Sequence, residues 1–324
     1  MTQVAAQLMY RLINLPKKTV VQKVYIGDQS VYALQLFNQN QDAIISRVKK
    51  PQRINGHNLD FRHAQHMTLK NFGHGQTLAY FCHQGIDYWW VVAEPNLSDY
   101  PDIKWGSQLA RIRFEPDRRW WFHRQKRNLP TRLTMLDHTT PTGQSYGDLK
   151  RVEGALSPDK RTLLIAAVAR DGSAHFSLYD HQKLNERLDQ VAAVGGAVDL
   201  SQAGQLLSSS VANPYIVVPA FTRRLTSPSI QGVALSDTFT IFVSSGQAAV
   251  NDQHPQADQP AINQFQWGSD TAKPLWLNNP AWINQNIETE GVQLGDRLYV
   301  GVAFHDAVPY ATKTVANCVY WVEK

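Results

Sequence analysis

Five positions carrying a carboxylate or its amide analogue recur along this 324-residue chain: Gln22, Gln76, Glu153, Gln231 and Glu290. Carboxylates serve as general acids and bases. A pair about 5–10 Å apart across a sugar would suit glycoside hydrolysis. Glu153 and Glu290 are the two that could pair in this way. Three of the five positions are amides, which do not exchange protons at ordinary pH, so a repeated Glu/Gln reads more simply as a hydrogen-bonding device. The chain has no Gly-x-Ser-x-Gly elbow, phosphate loop or dinucleotide glycine fingerprint. On this reading no catalytic residue and no cofactor is assigned.

A second chemistry lies in RIRFEPDRRWWFHRQKR, residues 111–127. Its cationic and aromatic core is Arg118, Arg119, Trp120, Trp121, Arg124, Lys126 and Arg127. Cations interleaved with rings can hold anionic groups while the rings stack on sugars or enter a bilayer interface. No RNA- or DNA-binding motif accompanies the stretch, so nucleic acid is the weakest partner. The alternative is a solvated loop whose rings pack inward. Four histidines, His57, His63, His66 and His74, crowd residues 57–74 without flanking Cys or carboxylates at ligand spacing. No metal site is assigned to them.

The elements that must position these residues are set by a repeat. VEGALSPDKRTLLIAAVA, IQGVALSDTFTIFVSSG and TEGVQLGDRLYVGVAF each run Glu/Gln, Gly, an apolar stretch, an Asp six residues after the Glu/Gln, then a β-rich run. VQKVYIGDQSVYALQL is a fourth copy, and GQTLAYFCHQGIDYWWVVAE is a worn fifth in which Cys82 replaces the Asp. Such internal periods identify repeat architectures. Each copy reads as a β-hairpin, because Asp accepts from backbone N–H groups two residues on and so suits a turn. The second strand alternates large and small apolar residues, as in Leu298, Val300, Val302 and Phe304 against Tyr299, Gly301 and Ala303. That pattern suits a sheet covered on both faces. Five such sheets in a ring make an all-β, five-bladed β-propeller, a single domain over residues 1–324. A β-sandwich is the competing fold. The anchors would lie on the innermost strands, where crowding favours the adjoining Gly. The N-terminal AQLMYRLINL would pair beside VANCVYWVE and remove the free edge. HQKLNERLDQVAA, following Asp180, reads as one short surface helix.

Charge is uneven. Residues 1–150 hold 20 Lys and Arg against 11 Asp and Glu, a net +9, and the remainder is net −4. Such a field favours anionic surfaces such as wall polymers or acidic lipids. Two cysteines, Cys82 and Cys318, are too few for a disulfide framework. The N-terminus lacks the features of a cleaved signal peptide, and no apolar run approaches the roughly 18 residues of a membrane span. A protein of this kind acting outside the cell would leave by another route or by lysis.

Through VVQKVYIGDQSVYALQL, GHGQTLAYF, IKWGSQLARIRF, RVEGALSPDKRTLLIAAVARDGSAHFSLYDHQKLNERLD, SPSIQGVALSDTFTIFVSS and IETEGVQLGDRLYVGVAFHD, most of the chain resembles the helveticin J-like large bacteriocins of lactic acid bacteria. Residues 49–66 and 247–279 depart from the pattern. The resemblance implies a secreted or released protein that inhibits related bacteria, often without an ordinary cleaved leader. It transfers no catalytic residue. The expected partner is the bacterial cell envelope, met as an anionic wall polymer, a glycan or a lipid surface. A carbohydrate-binding, lectin-like propeller without killing activity and a propeller glycosidase remain as alternatives. Oligomeric state is not legible.

Overall fold

The structure, a computed structural model, describes residues 2–51, 56–96, 103–122, 129–192, 196–306 and 313–323. Five antiparallel sheets stand in a ring as the blades of a β-propeller. From the axis outward, the first blade is Val21–Ile26, Ser30–Phe37, Asp42–Lys49 and Gln65–Lys70. The second is Leu78–His83, Ile86–Pro95, Gly106–Ile112 and Thr131–Thr134. The third is Leu149–Leu156, Thr162–Ala169, Ala174–Asp180 and Tyr215–Val218. The fourth is Gly232–Leu235, Ile241–Ser245, Ala261–Phe265 and Lys273–Asn278. The fifth is Asn286–Leu294, Leu298–His305, Thr314–Val322 and, from the other end of the chain, Gln7–Ile13. Each innermost strand touches the innermost strands of both neighbouring blades, so the ring is closed.

Closure rests on pairing between the chain's two ends. Gln7–Ile13 runs antiparallel to Thr314–Val322, with Gln7 opposite Trp321 and Leu12 opposite Asn317. A further device was not legible in the sequence. Where the chain passes from the third to the fourth strand of a blade, it reaches back and adds a short parallel strand to the outer edge of the preceding blade. Asn58–Asp60 thus joins blade five, Arg119–Trp121 joins blade one and Ala197–Asp199 joins blade two. Thr2–Ala5, just before the strand that completes blade five, joins blade four in the same way. These additions cover edges that would otherwise offer unpaired N–H and C=O groups. Two expectations are corrected here. The polar composition of 49–58 predicts a loop, yet its last residue begins the strand Asn58–Asp60. The polar, Pro-containing stretch 247–265 predicts one long rim loop, yet Ala261–Phe265 is the third strand of blade four. Asn263 hid that strand: it is buried, and its side chain is satisfied by Ser245 Oγ at 2.8 Å.

The core lies between blades. Five apolar clusters each join residues of two adjacent sheets, as where Trp90 and Leu109 of blade two meet Leu163 and Ile165 of blade three. This explains strands buried on both faces; every residue of Thr162–Ala169 is buried. The helix His181–Ala192 follows Asp180, whose carboxylate accepts from the Lys183 N–H at 3.1 Å, and it buries Leu184 and Leu188. The turn aspartates behave as their chemistry requires. Asp159 accepts from the Arg161 N–H at 3.0 Å, and its own N–H donates to Asp237 of the next blade at 3.0 Å. Cys82 is exposed and Cys318 buried, both as free thiols.

Three of the five anchors, Glu153, Gln231 and Glu290, are followed by a glycine that makes room for the neighbouring blade. A Cβ on Gly291 would lie 2.7 Å from the Gln22 carbonyl oxygen and 2.3 Å from the Lys23 side chain; one on Gly232 would lie 2.6 Å from Gly291 Cα. At Gly154 the nearest contact would be a flexible Leu109 methyl at 3.1 Å. Gly232→Ala and Gly291→Ala are therefore expected to cost about 1–3 kcal/mol through overpacking, and Gly154→Ala clearly less. Urea unfolding followed by tryptophan fluorescence checks the order; equal losses at all three would show that blade approach does not set the glycines.

Candidate functional site

The five anchors sit on or immediately before the innermost strands, and the structure brings them together at the axis. Gln76 is the hub. Its side-chain amide donates to Gln231 Oε1 at 2.8 Å and to Glu290 Oε2 at 3.1 Å, while its Oε1 accepts from Arg151 Nη2 at 3.0 Å. Its backbone N–H donates to both Glu153 oxygens at 3.0 and 3.2 Å. Thr77 Oγ1 also donates to Glu153, at 2.6 Å, and accepts from the Gly154 N–H at 2.8 Å. Gln22 joins through His74, whose Nε2 lies 3.0 Å from Gln22 Oε1.

The charges in this cluster are buried and unequal. Arg151, 4 % exposed, pairs with Glu153 at 2.5 Å and donates to the Ile230 carbonyl at 3.0 Å. Its guanidinium carbon lies 3.7 Å from the Trp105 ring centroid, and His74 stacks on the same indole at 4.0 Å. Burial, aided by the Arg151 charge, pushes the His74 imidazole down to about 3, so the ring is neutral and donates from Nε2 to Gln22. Lys23 donates its ammonium to the Val292 carbonyl, and burial lowers it to about 8 against the opposing pull of Glu153. Burial raises the Glu290 carboxyl well above its ordinary value of 4.5, reinforced by the neighbouring Glu288. Glu153 thus accepts from two neutral donors and a cation, whereas burial favours the protonated form of Glu290.

A second ring lies two residues upstream of the anchors. Alternation along a strand turns residues i and i+2 to the same face, so Arg151 and Glu288 follow Glu153 and Glu290 toward the axis, and His74 and Ser229 hold the same offset just ahead of their strands. All four line a pocket of about 560 Å³ at the face where the innermost strands begin. Trp105, Gln231, Asn40 and Val250 also line it. Sequence reading singled out the anchors and missed this ring, although the two-residue spacing was there to be used. A cavity of only about 40 Å³, lined by Lys23, Gly154 and Val292, marks the opposite side of the cluster. The anchors therefore plug the channel, and the wide end is the pocket floored by Gln231 and Arg151.

The basic, aromatic stretch is divided. Arg119–Trp121 is the added edge strand of blade one, with Arg119 exposed and Trp121 49 % exposed. Arg118 lies 3.9 Å from the Trp120 ring centroid and pairs with Glu115. Two members of the wider stretch are corrected: Arg111 is buried, bound to Asp189 at 2.8 Å and Asn185 at 3.0 Å of the helix, and Phe122 is buried in the core between blades one and two. Arg111 faces inward because its strand is covered by the helix, and Phe122, just past the edge strand, packs against Phe72. Arg124, Lys126 and Arg127 lie outside the described residues. No cluster of three or more metal-ligating side chains occurs among the described residues.

The fold and this plugged axis define a closed five-bladed propeller whose anchor carboxyls are taken up in blade-to-blade bonding. Residues 1–324 match the family described as bacteriocin helveticin-J, and the chain belongs to that family. It is 25 % identical to bacteriocin helveticin-J of Lactobacillus helveticus over 94 % of this chain and 92 % of that protein. Among solved structures it is similar to a mannose phosphorylase from Leishmania mexicana (9 % identity, TM-score 0.47, 98 % of this chain and 88 % of that one). It is also similar to the polysaccharide lyase Uly1 (7 % identity, TM-score 0.41, 98 % of each chain). Both likenesses are too remote to carry function.

The raised Glu290 carboxyl has a consequence for stability. Above pH 4.5 the folded chain holds a proton that the unfolded chain releases, so this group makes stability fall as pH rises through its raised value. Glu290→Gln removes that slope while keeping an acceptor for Gln76. His74 contributes the opposite slope, stability being lost as pH falls from 6.5 toward 3, in both proteins. The variant is expected to lose less in melting temperature between pH 5 and pH 8 than the parent, as scanning calorimetry would record. An unchanged difference would mean that Glu290 ionises freely in the fold.

Proposed function

We propose that this protein is a bacteriocin-like antibacterial protein that acts outside the cell producing it. It binds the envelope of related Gram-positive bacteria and inhibits or kills them without cleaving a substrate. Membership of the helveticin-J family over the whole chain carries this reading. The bonding of the anchor acids supports the non-enzymatic part. Both Glu153 oxygens are occupied by Gln76, Thr77 and Arg151, which leaves that carboxylate no free lone pair aimed at a substrate water.

The net +9 of residues 1–150 falls mainly on blades one and two, and the exposed edge strand with Arg119 and Trp121 lies on that side. A cationic edge bearing an exposed indole suits an anionic wall polymer or a lipid headgroup layer. Attraction of this kind weakens with ionic strength because exposed charges are screened within about 8–10 Å.

Purified protein added to a panel of closely related lactobacilli is expected to bind cells in a pull-down and to reduce viable counts of some strains. The double variant Arg118→Glu, Arg119→Glu should bind several-fold less at low salt and show a shallower salt dependence, with its melting temperature little changed. Absence of binding and of killing across the panel would remove the reading. Unaltered binding by the double variant would move the contact elsewhere on the surface.

A further inference from the structure

We propose that the axial pocket is a binding site for a neutral sugar unit of an envelope glycan, recognised by the ring of side chains two residues upstream of the anchors. This rests on the envelope-binding reading above and assigns it a place and a ligand chemistry.

The size and composition of the pocket point to a polyol. At about 560 Å³ it lies within the roughly 300–1,000 Å³ of small-ligand sites. Its polar lining includes groups with fixed geometry, the amides of Asn40 and Gln231, the Arg151 guanidinium and the Glu288 carboxylate, beside Lys150 and the hydroxyls of Thr222 and Ser229. Planar amides, carboxylates and guanidinium groups supply the donors and acceptors in fixed directions that neighbouring hydroxyls require. Trp105, Ile103 and Val250 add apolar surface, the latter two partly exposed at the mouth, for the C–H faces of a pyranose.

Within the second ring the charges are already matched, which favours a neutral ligand; Lys150, on the pocket wall outside that ring, is not without a partner. Arg151 already has its counter-ion in Glu153, and Glu288 is bonded to His305 at 2.9 Å. His74 is uncharged. No excess positive charge in the second ring awaits a phosphate or carboxylate.

Arg151 supplies the independent sign of a missing partner. Its Nη1 and Nη2 are bonded to Ile230, Gln76 and Glu153, and the Trp105 ring lies against its guanidinium. Its Nε–H, on a side chain 5 % exposed, has no hydrogen-bond partner. A buried donor left unmade costs free energy, and here it belongs to a residue lining an open pocket. A ligand hydroxyl oxygen would satisfy it.

The test uses the full chain and two variants. Val250→Trp places a large side chain at the mouth, and Ile283→Trp makes the same change at an exposed position that does not line the pocket. Isothermal titration would be run with N-acetylglucosamine, glucose, galactose, rhamnose and neutral oligosaccharides released from sensitive cells, beside glucuronate and glucose 6-phosphate. At least one neutral sugar should bind parent and Ile283→Trp alike and bind Val250→Trp at least tenfold more weakly, with the anionic sugars no tighter. The same sugar should compete with cell binding. Glu288→Gln, which keeps shape and loses charge, should also weaken the neutral sugar. No binding of any neutral probe, tighter binding of the anionic ones, or full binding by Val250→Trp would overturn the inference. Cell binding that survives in Val250→Trp without sugar competition would overturn it while leaving the envelope reading intact. Sugar binding with no cell binding would do the reverse.

Discussion

Blade-to-blade hydrogen bonding through the Gln76 side chain is the constraint around which the molecule is arranged. Gln76 belongs to blade two, yet its polar atoms are shared with Arg151 and Glu153 of blade three, Gln231 at the start of blade four and Glu290 of blade five. One amide can do this because it offers two donors and an acceptor in a plane. Five sheets packed only through apolar faces would leave polar backbone at the axis facing a narrow gap. The cluster fills that gap with groups that satisfy one another, and inside a low dielectric such networks reinforce their members.

The same cluster explains why the anchors are a mixture of acids and amides. A ring of five carboxylates would place like charges within a few ångströms of one another, with too few cations to compensate. Here one carboxylate, Glu153, is matched by Arg151 and faces Lys23, while burial and the neighbouring Glu288 raise the Glu290 carboxyl well above its ordinary value. Buried ion pairs offset their desolvation only when their remaining lone pairs are bonded, and Glu153 meets that condition through Gln76 and Thr77. The anchor acids therefore hold the structure together at the axis, and the open pocket is lined by the ring above them together with Gln231.

At the periphery the constraint is different. A propeller has outer edges, and four of the five sheets have theirs covered by a short parallel strand borrowed from the next blade. The borrowed strand of blade one carries Arg119 and Trp121 into solvent. Edge protection and presentation of a cationic, aromatic surface are thus functions of the same three residues. The closing pair of strands, one from each end of the chain, ties the N-terminal segment to blade five.

The amino-acid sequence by itself determined the blade count, the hairpins and their aspartate turns, the closure by the N-terminal strand and the position of the helix. All of these are local patterns, repeated or periodic, that survive without knowledge of neighbours. The anchors were legible because they repeat. Only the tertiary structure decided that Arg111 turns inward to Asp189 while Arg119 faces solvent, and that a strand runs through Asn263. It alone decided that Glu153 meets Arg151 while burial raises the Glu290 carboxyl. Each of these depends on which groups other blades bring within a few ångströms, and that proximity is set by closure of the ring, which no stretch of chain encodes alone.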